Sequence, residues 1–385
     1  MSFDMETFVD RTESPSSTGV PSPKAASGEQ ALPLDPERLQ RAKRSYAARH
    51  LAPGAAVRLL SQGVRPRAGD LLLARILKLG HHARLELANG RRSALYEGDE
   101  VVLVFADRYA SDQFEARVPD RLEPCHLVAA GGIAARCLSR HERSRRPTEI
   151  APVGLLADAA GTPLGIRRFA PLSLPGRPPE TGPAERPPTI AVLGTAMNAG
   201  KTTTAASLVR GFRRCGLRVG TAKVTGTGAG GDRWACLDAG ADPVLDFTDF
   251  GFPSTHRLPQ AVRESLLTCL LEAHRRAGSE VVILEVADGL LFEETARLVS
   301  SPVFRRCVDG ILLAAADAMG AFGAAQWLAA RDLAPLAISG RITTSPLARR
   351  EVETALDFPV IDIARIAAGL WLPELPRAAR TAAAA

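Results

Sequence analysis

Hydrophobic residues follow two different patterns along the chain. Between about residues 53 and 170 they form short runs separated by turn-forming pairs such as Asn89 and Gly90, which is typical of β-strands joined by tight turns. From residue 189 onward, short apolar runs alternate with longer stretches of helical periodicity. The first pattern predicts strands at 71–79, 83–87, 92–96, 100–105, 153–157 and 163–166. The second predicts strands at 189–193, 217–224, 281–286, 310–315 and 335–339, with helices at 201–214, 259–276, 321–331 and 346–356.

These patterns predict an α/β fold. Apolar strands alternating with amphipathic helices indicate a parallel sheet with helices on both faces, and the earlier strands indicate a small β-rich domain, either a barrel or a sandwich. The N-terminal stretch, rich in Ser, Pro, Gly and Thr, buries too little apolar surface to fold. The predicted segments are a disordered tail (1–34), a helical segment opened by Asp35 and Pro36 (35–52), the β-rich domain (53–170), a Pro-rich linker (171–188), the α/β domain (189–370) and a disordered tail (371–385).

Composition and charge narrow the function. The 46% hydrophobic and 23% charged residues are ordinary for a globular protein. No apolar run approaches the roughly 20 residues of a membrane span, and the N-terminus lacks a signal-peptide pattern, so we predict a cytoplasmic protein without a membrane partner. The net charge of +6 is spread thinly except at 140–146, which disfavours a nucleic-acid partner. Six scattered cysteines without a C-x-x-C pair predict reduced thiols and no structural metal.

A phosphate-binding loop follows the first predicted strand of the α/β domain. The stretch GTAMNAGKTT (194–203) lies between a strand and a helix, which is the context that a P-loop requires, and it carries five residues between its glycines instead of the usual four. Backbone N–H groups and the helix N-terminus would bind phosphate, Lys201 would reach the β/γ-phosphates, and Thr202 would bind Mg²⁺. The predicted nucleotide-binding residues are Gly194, Thr195, Asn198, Ala199, Gly200, Lys201, Thr202 and Thr203.

Other candidate residues lie near the ends of the next strands. Only five of the 48 basic residues are lysines, and Lys201 and Lys223 both lie at or just past a strand end, which indicates a need for a compact ammonium group. Glu285 and Asp288, in the run VVILEVADG, are candidates for binding Mg²⁺ or positioning water or substrate. The alternatives for these carboxylates are a helix cap or a surface pair. We therefore predict catalytic roles for the two lysines, Glu285 and Asp288.

A glycine-rich loop at 225–231 separates the second and third strands. A loop of this composition beside a phosphate site suits a mobile substrate or metal loop. Asp232 and Asp238 are the first carboxylates after it, and we predict that one of them joins Thr202 and Glu285 in binding metal. Trp234 and His256 could line a pocket, although a packed aromatic residue and a surface histidine are the simpler interpretations.

The sequence resembles two groups of P-loop proteins. The five-residue spacing in GTAMNAGKTT is similar to the variant P-loop of the dethiobiotin synthetase and cobyrinic acid amide synthetase group. The resemblance implies that Lys223 contacts nucleotide and substrate phosphates, that Asp232 or Asp238 binds metal and that Glu285 matches the family's glutamate. The family's glycine pair after that glutamate is absent here, because VADG follows instead.

The run from the P-loop through KVTGTGAG and DAGADPVLDF to LEVADG covers more of the domain. It resembles an extended P-loop family that includes D-glutamate N-acetyltransferases, over roughly residues 189–360. In proteins with this P-loop the site often lies at a dimer interface, so the resemblance allows a homodimer. The fold that it implies is a P-loop NTPase-type parallel sheet.

Three functions are consistent with these residues. The leading hypothesis is an enzyme that uses ATP and Mg²⁺ to act on a small-molecule substrate, by phosphoryl transfer or through an acyl phosphate. The second is an amino-acid N-acyltransferase whose P-loop binds acyl-coenzyme A. The third is a nucleotide-dependent switch or assembly factor. ATP is the default base because Ser339, Gly340 and Arg341 stand where an Asn-Lys-x-Asp guanine motif would be expected.

Overall fold

The computed structural model describes residues 31–176 and 186–375, and the predicted tails at 1–30 and 376–385 and most of the Pro-rich linker (177–185) lie outside the described residues. The tail predictions are wrong at their inner ends. Ala31–Pro33 forms a strand because its backbone pairs with a neighbouring strand, and Leu34 is buried. Trp371 and Leu372 pack against the core of the α/β region, so apolar contacts keep this segment folded.

The β-rich region (residues 31–170) is built almost entirely from short strands. Its elements in chain order are β1 (Ala31–Pro33), α1 (Pro36–Arg41), β2 (Lys43–Arg44), β3 (Arg58–Leu60), β4 (Leu71–Lys78), β5 (Arg84–Glu86), β6 (Arg92–Ala94), β7 (Glu100–Phe105), β8 (Arg108–Tyr109), β9 (Phe114–Arg117), β10 (Cys125–Ala129), β11 (Ile133–Arg140) and β12 (Thr148–Ala157). The β5–β6 hairpin turns at Asn89 and Gly90 as predicted, with Gly90 at a φ of 83°. The Asn-Gly pair predicted this turn because the turn needs a positive φ, which glycine adopts without strain.

Five strands of this region close into a ring. β12 pairs with β4, β4 with β7, β7 with β11, β11 with β10, and β10 returns to β12. The β7–β11 pair is parallel and the other four are antiparallel. Apolar side chains from all five strands, such as Leu72, Leu103 and Leu127, form one buried cluster. It matches the barrel alternative of the sequence prediction.

The α/β region (residues 186–375) contains a six-stranded parallel sheet. Its elements are β13 (Thr189–Gly194), α2 (Lys201–Arg214), β14 (Val219–Lys223), α3 (Gly231–Asp238), β15 (Val244–Asp246), α4 (Gln260–Arg276), β16 (Val281–Glu285), α5 (Glu293–Val299), α6 (Pro302–Cys307), β17 (Gly310–Ala314), α7 (Ala318–Ala329), β18 (Ala337–Ser339), α8 (Pro346–Ala355) and α9 (Ile363–Ala367). The strand order is β15-β14-β16-β13-β17-β18, and every pair is parallel. Separate hydrophobic clusters cover the two faces, so the predicted α/β class with helices on both faces is confirmed.

Several local predictions differ from the structure. The helix expected over 35–50 ends at Arg41, because Lys43 and Arg44 pair with β7 and Tyr46 then turns into the interior. The strand expected at 163–166 forms only isolated bridges before a 3₁₀ turn at Ile166–Phe169. Helix α3 and strand β15 lie where the sequence indicated a loop. Each difference arises from a contact with residues far away in the chain.

The β-rich region packs against the carboxyl-terminal edge of the parallel sheet. A Cβ on Gly131 would lie 2.1 Å from the Gly228 carbonyl oxygen, so the two backbones are in close contact. Tyr109 stacks on Phe292 with ring centroids 4.1 Å apart. In a parallel α/β sheet this edge is where ligands bind. The β-rich region therefore borders the predicted site.

None of the helices in residues 31–176 and 186–375 is long and apolar enough to cross a lipid bilayer.

Candidate functional site

The predicted phosphate loop connects β13 to α2. Helix α2 begins at Lys201, as the sequence predicted, directly after Gly200 at a φ of 103°. A Cβ on Gly200 would lie 2.9 Å from Gly340 Cα, and one on Gly194 would lie 2.8 Å from the Lys201 side chain. Glycine is required at Gly200 by the backbone angle and by the nearby Gly340 backbone, whereas a Cβ on Gly194 would displace the flexible Lys201 side chain. The strand, loop and helix form the architecture of a P-loop on a parallel sheet.

Lys201 is folded back over the loop. Its Nζ donates to the Ala196 carbonyl at 2.9 Å, and the residue as a whole is 7% exposed. Burial lowers the pKa of Lys201, while Glu285 and Asp288 draw it upward. A P-loop lysine without a phosphate needs another acceptor, and the loop carbonyl supplies it here. Phosphate oxygens would replace this contact.

Four side chains converge beside the first turn of α2, and we call them the lysine cluster: Thr202, Lys223, Asp232 and Glu285. Thr202 Oγ1 donates to Asp232 Oδ1 at 2.8 Å and lies 3.4 Å from Glu285 Oε1. Lys223 Nζ forms an ion pair with Asp232 and lies 3.5 Å from Glu285 Oε1. These residues come from α2, β14, α3 and β16. The sheet thus assembles residues that are up to 83 positions apart in the chain.

Charge and burial set the protonation of this cluster. Burial would lower the pKa of Lys223, but attraction to Asp232 and Glu285 outweighs it and raises the pKa of Lys223 above its ordinary value. Burial would raise the pKa of Asp232, yet Lys223 and the Thr202 hydroxyl group hold it below the ordinary value. Burial dominates for Glu285 and raises its pKa. Glu285 is consequently the carboxylate that gains most from an additional cation.

Asp288 lies three residues beyond the end of β16, on the side of the site that borders the β-rich region. It lines a small pocket with Thr225, His256 and Glu294. Burial raises the pKa of Asp288, and Lys201 and Lys223 partly offset this by attraction. Both lysines attract the Asp288 carboxylate electrostatically, but among the described residues neither forms a direct ion pair with it.

The structure separates the two aspartates that the sequence left open. Asp232 lies in the first turn of α3 and contacts Thr202 and Lys223. Asp238 is the last residue of the same helix and is exposed to solvent. The expectation that Asp238 is an alternative metal ligand conflicts with this geometry, because the helix places it nearly two turns from Asp232.

The remaining predicted loop residues have different surroundings. Ala199 is buried, and its carbonyl oxygen accepts from the Arg341 N–H at 2.9 Å. Thr195 donates its backbone N–H to the Ala314 carbonyl at 3.0 Å. Thr203 is exposed on α2. Asn198 adopts a φ of 60° and donates through Nδ2 to Asp112 Oδ2 of the β-rich region at 2.6 Å.

The glycine-rich loop is anchored by the β-rich region, whereas the sequence suggested a mobile loop. Glu86 is buried and accepts from the Gly230 N–H at 2.8 Å and from Trp234 Nε1 at 3.0 Å. Gly228 donates to the Pro253 carbonyl at 2.8 Å. Glu86 thus fixes the start of α3, and with it the position of Asp232. No local pattern indicates Glu86, since its role depends on how two regions distant in the chain meet.

The donor set of the lysine cluster fits Mg²⁺ arriving with a phosphate ligand. Mg²⁺ prefers oxygen ligands and is usually held by one or two carboxylates together with substrate phosphates and water. Thr202, Asp232 and Glu285 offer one hydroxyl and two carboxylates. Among the described residues no group of three or more His, Cys, Asp or Glu side chains could hold a metal alone. A site completed by phosphate oxygens is compatible with both observations.

No protein-family model and no curated protein matches this sequence. Among solved structures, it is similar to the signal recognition particle receptor FtsY from Elizabethkingia anophelis, at 19% identity and a TM-score of 0.34 over 51% of this chain and 61% of that chain. It is also similar to the signal recognition particle 54 kDa protein from Aeropyrum pernix K1 in complex with GDP, at 19% identity and a TM-score of 0.33 over 57% of this chain and 50% of that chain. The matched part spans less than two thirds of either structure.

Proposed function

We propose that this protein is a nucleotide-dependent P-loop enzyme, which binds a nucleoside triphosphate with Mg²⁺ at residues 194–203 and acts on a small molecule. The observation that carries the proposal is the contact of Thr202 with two carboxylates and, through them, with Lys223, beside the helix that begins at Lys201. Such a set combines phosphate binding, metal binding and a second cation within one site.

Each residue has a distinct role in this proposal. The loop N–H groups and Lys201 bind the phosphates, while Thr202, Asp232 and Glu285 hold Mg²⁺. The metal, when bound, neutralises charge on the phosphate oxygens. Lys223 is paired with Asp232 and Glu285 in the absence of ligand, and it is the second cation available to a transferred phosphoryl group. No covalent nucleophile from the protein is required.

Asp288 is the predicted catalytic carboxylate that lies outside the lysine cluster. Asp288, whose pKa burial raises, lines a small pocket together with Tyr109 of the β-rich region. A carboxylate in that place can orient a substrate group or accept its proton. We propose ATP as the nucleotide, by phosphoryl transfer or acyl-phosphate formation, because no guanine-reading motif follows β18.

Calorimetric titration of ATP, GTP and acetyl-coenzyme A, each with Mg²⁺, tests the proposal. Wild-type protein should bind one of the nucleotides, and Lys201→Ala should weaken that binding at least about 100-fold, since it removes the phosphate-facing cation. Arg210→Ala, an exposed change on the outer face of the same helix, is the matched control and should leave affinity unchanged. Binding of the coenzyme alone would overturn the proposal in favour of an acyltransferase, and equal binding by both variants would remove the P-loop from the site.

A further inference from the structure

Two adjoining clefts lie where the β-rich region meets the α/β region. One has a volume of about 650 Å³ and the other about 540 Å³, and they share Ala68, Asp107 and Arg257. The second is walled by segments of both regions, including Gly69 and Gly165 on one side and Phe252 on the other. Clefts of a few hundred cubic ångströms between domains are common sites for small molecules. Neither cleft is explained by nucleotide binding at the P-loop.

The larger cleft has an excess of guanidinium groups. Two aspartates, Asp107 and Asp120, line it together with five arginines: Arg65, Arg67, Arg117, Arg136 and Arg257. Within the described residues, neither Arg67 nor Arg117 forms a side-chain ion pair, whereas the other three do. Guanidinium groups bind carboxylates and phosphates through paired hydrogen bonds. Arg67 and Arg117 therefore leave donors free for an anion in this cleft.

Arg257 is held in an unusual backbone conformation where the two clefts join. Its φ is 65°, in the left-handed region that residues other than glycine and asparagine rarely adopt. Its N–H donates to Glu294 Oε1 at 2.7 Å, and its guanidinium donates to Asp107 Oδ2 at 2.9 Å. Such a conformation persists only when surrounding contacts maintain it, and it is common at ligand sites.

His256 connects the clefts with the nucleotide site. It lines the second cleft and also the small pocket that contains Asp288. Its Nδ1 lies 3.1 Å from Glu294 Oε1, which also accepts from the Arg257 N–H, and Glu294 Oε2 lies 3.5 Å from Arg263. Because Glu294 accepts these hydrogen bonds as a carboxylate, His256 Nδ1 carries a hydrogen. In the neutral imidazole, Nε2 then carries none and can accept a hydrogen bond.

We propose that the two clefts form the acceptor-substrate site of the enzyme proposed above, and that the site takes a small molecule carrying a carboxylate or phosphate group. Arg67 and Arg117 bind the anionic group at the outer end. The opposite end of the molecule lies beside His256, next to the pocket that leads to Asp288. The proposal rests on the proposed function for the identity of the reaction, while the binding of an anion can be measured without nucleotide.

The test titrates citrate and, separately, pyrophosphate into Lys201→Ala protein, whose P-loop is disabled. Calorimetry measures affinity, and the Cε1–H resonances of ¹³C-labelled histidines report the position, with His256 assigned by His256→Gln. We expect saturable binding of at least one probe with a shift of the His256 resonance. The variant Arg67→Gln/Arg117→Gln should weaken binding at least tenfold and remove that shift.

The matched control is Arg143→Gln/Arg145→Gln, which removes the same charge from an exposed segment outside the clefts. It should retain both the affinity and the shift. Binding of citrate alone identifies a carboxylate site, and binding of pyrophosphate alone identifies a phosphate site. Absence of a His256 shift with both probes, or equal weakening in the control variant, would overturn the proposal and leave a solvated basic surface. If wild-type protein binds no nucleotide, the proposed function is contradicted, whatever the citrate and pyrophosphate titrations show.

Discussion

Two buried charged clusters lie side by side at the carboxyl ends of neighbouring strands. Glu285, Lys223 and Asp246 are in register across β16, β14 and β15. Lys223 and Glu285 belong to the lysine cluster beside the P-loop, whereas Asp246 belongs to a second group. We call that group the aspartate cluster: Tyr46, Arg49, Arg233, Asp246, Thr248 and Asp249.

The aspartate cluster joins the two regions, and Asp249 accepts hydrogen bonds from both of them. Asp249 accepts from Arg49 at 2.8 Å, from Arg233 at 3.0 Å and from the Asp246 N–H at 2.9 Å. Burial would raise the pKa of Asp249, but hydrogen bonding with His50 and attraction to the two arginines hold it well below its usual range. Asp246 caps the following 3₁₀ turn through the Thr248 N–H. Such a network stabilises an interface.

The lysine cluster is more accessible, because its Asp232 and Lys223 side chains are 35% and 19% exposed, against 4% for the Asp249 side chain. Lys223 serves both carboxylates, and burial still raises the pKa of Glu285. Burial likewise raises the pKa of Asp246 in the aspartate cluster, so a carboxylate with a raised pKa is common to both groups. The difference between the clusters is that two arginines and a backbone N–H satisfy Asp249, whereas Asp232 and Lys223 stay partly exposed beside the P-loop, where a ligand can reach them.

The largest expected effect comes from breaking the aspartate cluster. Asp249→Ala leaves Arg49 and Arg233 without their shared buried partner, and we expect the free energy of unfolding to fall by about 3–5 kcal/mol. Urea denaturation monitored by circular dichroism measures the loss. Nucleotide affinity of the remaining folded protein should stay within about threefold, since no group of the lysine cluster is touched. A large loss of affinity with unchanged stability would reverse the distinction between the two clusters.

The next effect separates Asp232 from Asp238. Asp232→Asn removes a negative charge from the proposed Mg²⁺ site, and we expect Mg²⁺-dependent nucleotide affinity to fall about 10–100-fold. Asp238→Asn removes the same charge from the exposed end of the same helix and should change affinity less than twofold. Calorimetry with Mg²⁺ and with EDTA makes the comparison. Similar losses in the two variants would contradict the placement of the metal.

This pair of residues also marks what the sequence could and could not predict. Helix α2 was predicted with its observed bounds, because the glycine at its start and its apolar periodicity are local signals. The choice between Asp232 and Asp238 stayed open, because the start of α3 depends on Glu86, which is 144 positions from Gly230 in the chain. Strands β10 and β11 of the five-stranded ring were missed for the same reason, since β11 pairs with β7 across a long connection. Local chemistry predicted the residue types, and the packing of two regions decided which of them meet.

A smaller effect concerns pH and has opposite signs for Glu285 and Asp249. The pKa of Glu285 is raised in the folded protein by burial, so its ionised form destabilises the folded state as pH rises above the unfolded value. Without metal, Glu285→Gln should therefore be more stable than wild type by about 1–2 kcal/mol at pH 8, with a smaller difference near pH 5. Unfolding in urea with EDTA at both values measures it.

Asp249 supplies the opposite case for the same experiment. Its pKa is lowered in the folded protein, so its stabilising contribution is present above the unfolded value near 4 and disappears as pH falls through the folded value. The deficit of Asp249→Asn relative to wild type should consequently shrink on acidification below about pH 4. Glu285→Gln and Asp249→Asn remove one charge each, and a common pH trend in both would contradict the opposite pKa shifts of the two carboxylates.

The smallest effect is expected where the β-rich region contacts the phosphate loop itself. Asp112 accepts from Asn198 and also attracts the buried Arg108 guanidinium, whose pKa is lowered to about 10 chiefly by burial. Asp112→Asn keeps an acceptor for Asn198 but removes the charge, so we expect a loss of about 1 kcal/mol in unfolding free energy. The same change removes repulsion toward phosphate and should raise nucleotide affinity up to about threefold at low salt, with less gain at 0.5 M salt. Asp120→Asn, an exposed change in the same region, should alter neither quantity. If Asp112→Asn instead weakened nucleotide binding, the β-rich region would be contributing to the site through this carboxylate, and the division between a structural and a ligand-binding cluster would have to include it.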